Sequence, residues 1–226
     1  LSHAGLGALH YEWNNLASAE YHFNEGLAHA RLWNQWESLV PLALGRARLK
    51  QRAGEIQAAL DILDELASPP REDLNLLLRA FAARLLDSDA ASAWFATNIS
   101  DTMLEPNPVN EAALLDIARL MESIHRKDDA LSLIHKMIKF AEAGKRMHTL
   151  IRAKVALALV GNQPEALMEA LRLAEPEGYI STFVDEGERM RNLLNGLSKH
   201  SRLDPDLLAY VEKLLSVFEP ASRKAK

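Results

Sequence analysis

The tripeptide Ala47-Arg48-Leu49 returns as Ala83-Arg84-Leu85, as Ala118-Arg119-Leu120 and, conservatively changed, as Ala153-Lys154-Val155, at steps of 36, 35 and 35 residues. A chain that repeats at such a period is built from one supersecondary unit used several times, and few folds are open to it. The unit is clearest over residues 111–145. There Leu114, Ile117, Ala118 and Met121 fall at i, i+3, i+4 and i+7, and Leu131, Ile134, Met137, Ile138 and Ala141 make a second stripe of the same period. These are two amphipathic helices, with a polar turn expected at residues 125–128.

Ala118 and Ala130 are twelve residues apart and Ile134 follows four later. Small residues at these places let the two helices of a pair approach closely, as in a tetratricopeptide repeat. Gly54 and Ala59 follow Ala47 at seven and twelve residues, and Gly161 and Ala166 follow Ala153 after a one-residue shift. An earlier copy places Leu6, Gly7, Ala19, Phe23 and Leu27 at the packed positions, whereas Phe95 falls where the third copy needs a small residue. One pair cannot bury its apolar face alone, so the expected fold is an all-α, right-handed superhelix of antiparallel helix pairs.

In chain order, about five pairs are expected over residues 1–175, C-terminal capping helices of the same domain over 176–219, and a basic tail over 220–226. The first pair turns at Trp13, Asn14 and Asn15, because short polar side chains satisfy the local backbone and cap the next helix. The step from Gly7 to Ala47 is 40 residues, so the connection holding Trp33 and Trp36 is expected to carry five or six extra residues. Ser68-Pro69-Pro70 and Glu105-Pro106-Asn107-Pro108 read as breaks, since proline lacks an amide donor and keeps its predecessor out of the helical region. After Ala174 the pattern changes. Met190, Leu193, Leu194 and Leu197 mark one helix, with Asp185 and Glu188 as its expected capping pair. Asp204 caps another with Pro205 at its first position.

Several functions are set aside by composition. The chain has no cysteine, which removes disulfides, thiolate metal sites and cysteine nucleophiles together. A formal charge of −5 argues against sequence-independent nucleic-acid binding by this segment, because that binding rests on neutralising phosphates. No apolar run reaches the 18 or so residues that cross a membrane, and no signal-peptide pattern opens the chain. Leu1 stands in mid-repeat with no initiator methionine, so a cytoplasmic fragment of a longer protein is expected. Catalysis has no motif here. The histidine pairs His3 with His10 and His22 with His29 are seven apart, too far for the usual zinc turn, and no phosphate-binding loop of the form G-x-x-x-x-G-K-[ST] is present. No enzyme activity, no metal and no cofactor are expected of this segment.

In a stack of such pairs the first helix lines the concave face, and the residue after its small alanine points into the groove. On this register Arg48, Arg84, Arg119 and Lys154 form a ladder of cations able to hold an anionic effector or an acidic peptide. The alternative is that each cation bridges to an acid on a neighbouring helix and stiffens the stack. Tyr11, Trp33 and Trp36 are the aromatic candidates, flat rings on which a sugar or an aromatic effector could stack. Trp13 reads instead as a cover over the first turn, and Tyr179 and Phe183 as wedges seating the terminal helices.

Two blocks carry a resemblance. AEPEGYISTFVDEGERMRNLL, residues 174–194, and YEWNNLASAEYHFNEGLAHAR, residues 11–31, resemble the helical sensor region of the large ATP-dependent bacterial regulators of the LuxR type, the group that includes the maltose-regulon activator. The resemblance implies a full-length protein with an N-terminal ATPase that binds ATP, this superhelical sensor, and a DNA-binding domain beyond Lys226. It implies a small-molecule inducer or a regulatory protein as partner, self-association of the full-length protein, and no direct nucleic-acid contact by this segment. A protein-interaction scaffold holding a peptide in the same groove is the alternative.

Overall fold

The computed structural model describes residues 2–66, 69–200 and 203–218. Ser68 of the first expected break and the expected basic tail lie outside the described residues. The rest is helical: α1 His3–Glu12, α2 Leu16–Leu32, α3 Trp36–Arg52, α4 Ile56–Asp64, α5 Glu72–Ala83, α6 Ser88–Asn98, α7 Glu111–Ser123, α8 Lys127–Ala143, α9 Met147–Gly161, α10 Pro164–Ala174, α11 Ser181–Val184, α12 Gly187–His200 and α13 Pro205–Phe218. A 3-10 turn, Asp101–Leu104, precedes the proline loop. Among the described residues there is no strand, and no helix is long and apolar enough to cross a membrane.

Six of the turns between helices share one device. Asn14, Asn34, Gly54, His125, Lys145 and Asn162 all take positive φ, between 49° and 80°. Asn and Gly enter this region at least cost, so they punctuate the first pairs. Asn15 then caps α2 through a bond from the Ser18 amide at 3.4 Å, Asp87 caps α6 at Ala90, and Asp204 caps α13 at Leu207. Two expectations need correction. The turn of the fourth pair lies at Ile124, His125 and Arg126, because Asp128 and Asp129 belong to the first turn of α8, where the helix dipole favours acids. The connection at Trp33 is not long: three residues separate α2 from α3, and the extra length lies in those two helices, 17 residues each.

The small residues of the repeat do pack. Ala19, Ala47, Ala59, Ala118, Ala130 and Ala153 are all fully buried. The core has two parts that meet at α5: Leu78 and Phe81 face the N-terminal part, and Ala80 and Ala83 face the C-terminal part. Phe95, the misfit of the third pair, is buried and carries the Arg126 guanidinium 4.7 Å from its ring centroid. Met190, Leu194, Leu207, Tyr210, Val211 and Leu214 extend the second core through the terminal helices. Phe183 is completely buried, and Tyr210 donates its hydroxyl proton to the Tyr179 carbonyl.

Candidate functional site: a polar cleft closed by residues 177–186

The superhelix turns far enough for its last segment to meet its first helix. The Trp13 indole N–H donates to the Glu177 carbonyl at 3.0 Å, and the Ile180 amide donates to the Glu12 carbonyl at 2.6 Å. The Glu12 carboxylate accepts from the Thr182 amide at 3.0 Å and from the Thr182 hydroxyl at 2.9 Å. Ser181 Oγ donates to the Tyr11 carbonyl, and Tyr11 donates its own hydroxyl proton to Asp185 Oδ2 at 2.7 Å. Arg52, at the end of α3, donates to Ser181 Oγ at 2.9 Å and to Asn14 Oδ1 at 2.5 Å. Gly178 and Gly187, at φ near +67° and +66°, bend the chain into and out of this crossing.

Behind the crossing lie the cations. Arg48 of α3, Arg84 just past the end of α5, Arg119 of α7 and Arg152 of α9 line one small cleft with Tyr11. Its inner space is about 40 Å³, and an adjoining hollow of about 380 Å³, sharing Tyr11, Arg48 and Asp185, is walled by Gln51, Ile56 and Val184. Two of the four arginines are bridges. Arg84 Nη1 meets Asp116 at 2.5 Å, and Arg119 forks onto both oxygens of Glu186. The other two differ. Arg48 sits with its guanidinium 5.6 Å from the Phe81 ring centroid, and among the described residues neither Arg48 nor Arg152 makes a hydrogen bond or an ion pair.

The electrostatics follow from this crowding. Burial drives Arg152 down to about 10, and the nearby Arg48 adds to the effect. Burial would raise the fully buried Asp116, yet Arg84, Arg152, Arg48 and Arg119 together hold it below the usual carboxylate range. Glu12 is likewise held low against burial, by His148 and Thr182. Asp185 is pushed up to about 6 by burial, against the pull of the Tyr11 bond and Arg52. Its side chain keeps 31% of its surface, so water screens much of that penalty. Among the described residues three buried side-chain polar atoms have no partner: Arg119 Nη1 and Asp116 Oδ2 at the cleft, and His10 Nδ1 in the first pair.

Four of the seven sequence candidates, Tyr11, Arg48, Arg84 and Arg119, are brought together here. Lys154 is not among them. It lies against Glu169 at 2.5 Å and Glu142 at 3.9 Å, and Arg152 fills the fourth place. Two residues along a helix are about 200° apart around it, so Arg152 and Lys154 face opposite sides of α9. Trp33 is 76% exposed at the end of α2, and Trp36 packs against the N-terminal core. Neither reaches the cleft. The expected capping pair is also corrected, since Asp185 binds Tyr11 and Arg52, while Glu188 pairs with Arg191.

Sequence reasoning missed Glu12, Arg52, Asp116, Arg152, Ser181, Thr182 and Glu186. One signal was readable: Asp185-Glu186 is an acidic pair ahead of a glycine, directly after an apolar Phe183-Val184, and a cation ladder needs acids of that kind. Four of the eight histidines, His3, His10, His22 and His29, gather elsewhere, on the first pair, where His3 and His22 place their Nδ1 atoms 3.2 Å apart. Among the described residues no group of three His, Cys, Asp or Glu is placed to hold a metal ion.

These features define a tetratricopeptide-like α-solenoid whose concave face holds a closed, arginine-lined cleft. The chain matches the MalT-like TPR region over residues 1–200 and belongs to that family. No curated protein matches it.

Proposed function

We propose that this chain is the effector-sensing and relay region of a bacterial transcriptional activator, acting in the cytoplasm and taking a small inducer into the cleft of Arg48 and Arg152. An ATPase and a DNA-binding domain elsewhere in the full-length protein would use the signal; this region itself contacts no nucleic acid, and catalyses nothing. The observation that carries the reading is the contact between the first helix and residues 177–186 across a cleft whose cations are incompletely paired. Family membership supports a regulatory helical region. The closing segment continues into α12 and α13, so a ligand that binds the closed form better than the open one shifts the geometry of that end by linkage.

The scaffold alternative has less support. Residues 177–186 occupy the stretch of concave face that an extended peptide would need, and Asp185 and Glu186 already meet Arg52 and Arg119 there.

A thermal-shift panel of sugars, organic acids and nucleotides tests the sensor reading. A ligand at about 100 times its dissociation constant stabilises by roughly 2.7 kcal/mol, a rise of several degrees for a domain of this size. The expected result is a hit that Arg48→Gln abolishes. A panel with no hit overturns the sensor reading in favour of the scaffold.

A further inference from the structure

Donors outnumber free acceptors in the cleft. Every carboxylate on its wall is engaged: Glu12 by Thr182 and His148, Asp185 by Tyr11 and Arg52, Glu186 by Arg119. The guanidinium groups of Arg48 and Arg152 have no acceptor among the described residues, and Arg119 Nη1 is buried with none. Asp116 has one free oxygen, but Arg84 already neutralises that carboxylate. Asp116 lies near Arg84, Arg152, Arg48 and Arg119 and offsets only part of their charge, so the like charges held together in this sheltered site repel and burial disfavours each. Their origin matters too. Arg48 comes from α3 and Arg152 from α9, helices that belong to different parts of the superhelix.

We propose that the cleft binds the oxyanion of a small organic acid, a carboxylate or a phosphate ester, between the guanidinium groups of Arg48 and Arg152, with Arg119 Nη1 as a third donor. This rests on the sensor reading and names its ligand class. The inner space of about 40 Å³ suits a head group only, and the adjoining hollow of about 380 Å³ takes the body of the ligand against Gln51, Ile56 and Val184. Guanidinium groups bind such oxyanions through paired, charge-assisted hydrogen bonds, which a neutral hydroxyl cannot return. A ligand held this way bridges α3 and α9 under the lid made by α11. Among the described residues no hydrogen bond or ion pair joins α3 to α9, so the anion would set the closure of the ring.

Two probes separate the sources: inorganic phosphate and succinate, each titrated against the whole chain at constant ionic strength maintained with sodium chloride. The expected result is a melting temperature that rises with one or both probes beyond the chloride control. In Arg48→Gln and in Arg152→Gln the affinity should fall at least tenfold. Phosphate acting alone identifies a phosphate ester, and succinate acting alone a carboxylate. A second readout needs no ligand: Arg152→Gln should raise the melting temperature of the free protein by a few degrees, because it removes a crowded charge while keeping most of the side chain. A structural role for Arg152 would lower it. Probes that do no more than chloride, or that stabilise the two variants as much as the parent, overturn the proposal. If they fail while an uncharged sugar gives an Arg48-dependent shift in the wider panel, the anion class is wrong and the sensor reading stands. If nothing shifts the protein, both fall.

Discussion

Replacing Arg119 by alanine is expected to destabilise the fold by about 4 kcal/mol, which in a domain of this size lowers the melting temperature by roughly 10 °C. Arg119 is nine-tenths buried on α7, and its fork onto Glu186 is the contact that ties the closing segment to the middle of the superhelix. Alanine would leave Glu186, itself only 14% exposed at the side chain, without a counter-charge, and would remove one of the cations that hold Asp116 ionised. The penalty is that of a stranded charge, so it should largely vanish when both partners are made apolar. Arg119→Met with Glu186→Leu is therefore expected to recover most of the lost stability, as chemical denaturation of the two single variants and the pair will measure. Equal losses in the single and double variants would mean that Arg119 acts through packing alone.

A loss of similar size is expected at Phe23. Its ring is 2% exposed and lies between the backbones of α1 and α3. A Cβ built on Gly7 would come within 2.5 Å of the ring, and one on Gly45 within 2.4 Å. Glycine in a helix usually costs stability, and alanine at either place would ordinarily restore about 1 kcal/mol. Here the ring has taken that space. Phe23→Ala should cost about 4 kcal/mol through the cavity it leaves between three helices. Gly45→Ala should cost about 2 kcal/mol through the clash, against its helix propensity. The two together should cost less than their sum, because the new methyl enters the space that the ring vacates. Strict additivity in urea unfolding would show that the ring and the glycine do not share that contact.

The parts of this molecule that the sequence displays are those that a repeat writes more than once. Ala118 and Ala130, the left-handed turn at Gly54 and the Arg48, Arg84 and Arg119 positions recur because each pair makes the same contact with its neighbour. The slip from Lys154 to Arg152 shows the limit of that logic. Ala153 keeps its packed place, yet the groove-facing cation has moved two residues, and counting from the alanine lands on the wrong side of α9. The closing contact lay further out of reach. Glu12 and Thr182 are 170 residues apart, and their meeting depends on small rotations summed over every intervening interface. No period in the chain records that sum. Trp33 stands away from the cleft for a simpler reason: the connection that carries it is a three-residue turn, and the ring is largely exposed.

Closure of the superhelix on its own first helix underlies the proposed sensing, and two amide protons report on it directly. The Thr182 amide stands in the first turn of α11, where a helix supplies no acceptor, and its bond is to the Glu12 carboxylate. The Ile180 amide, just ahead of that helix, donates to the Glu12 carbonyl. Hydrogen exchange resolved at these two sites by NMR is the decisive measurement. A closed superhelix predicts slow exchange at both, far below the rate of an unstructured peptide, and loss of that protection in Arg119→Ala. Exchange at the unprotected rate in the parent protein, with the amides of α7 still slow, would show a stack that folds without closing, and the cleft would not exist as described.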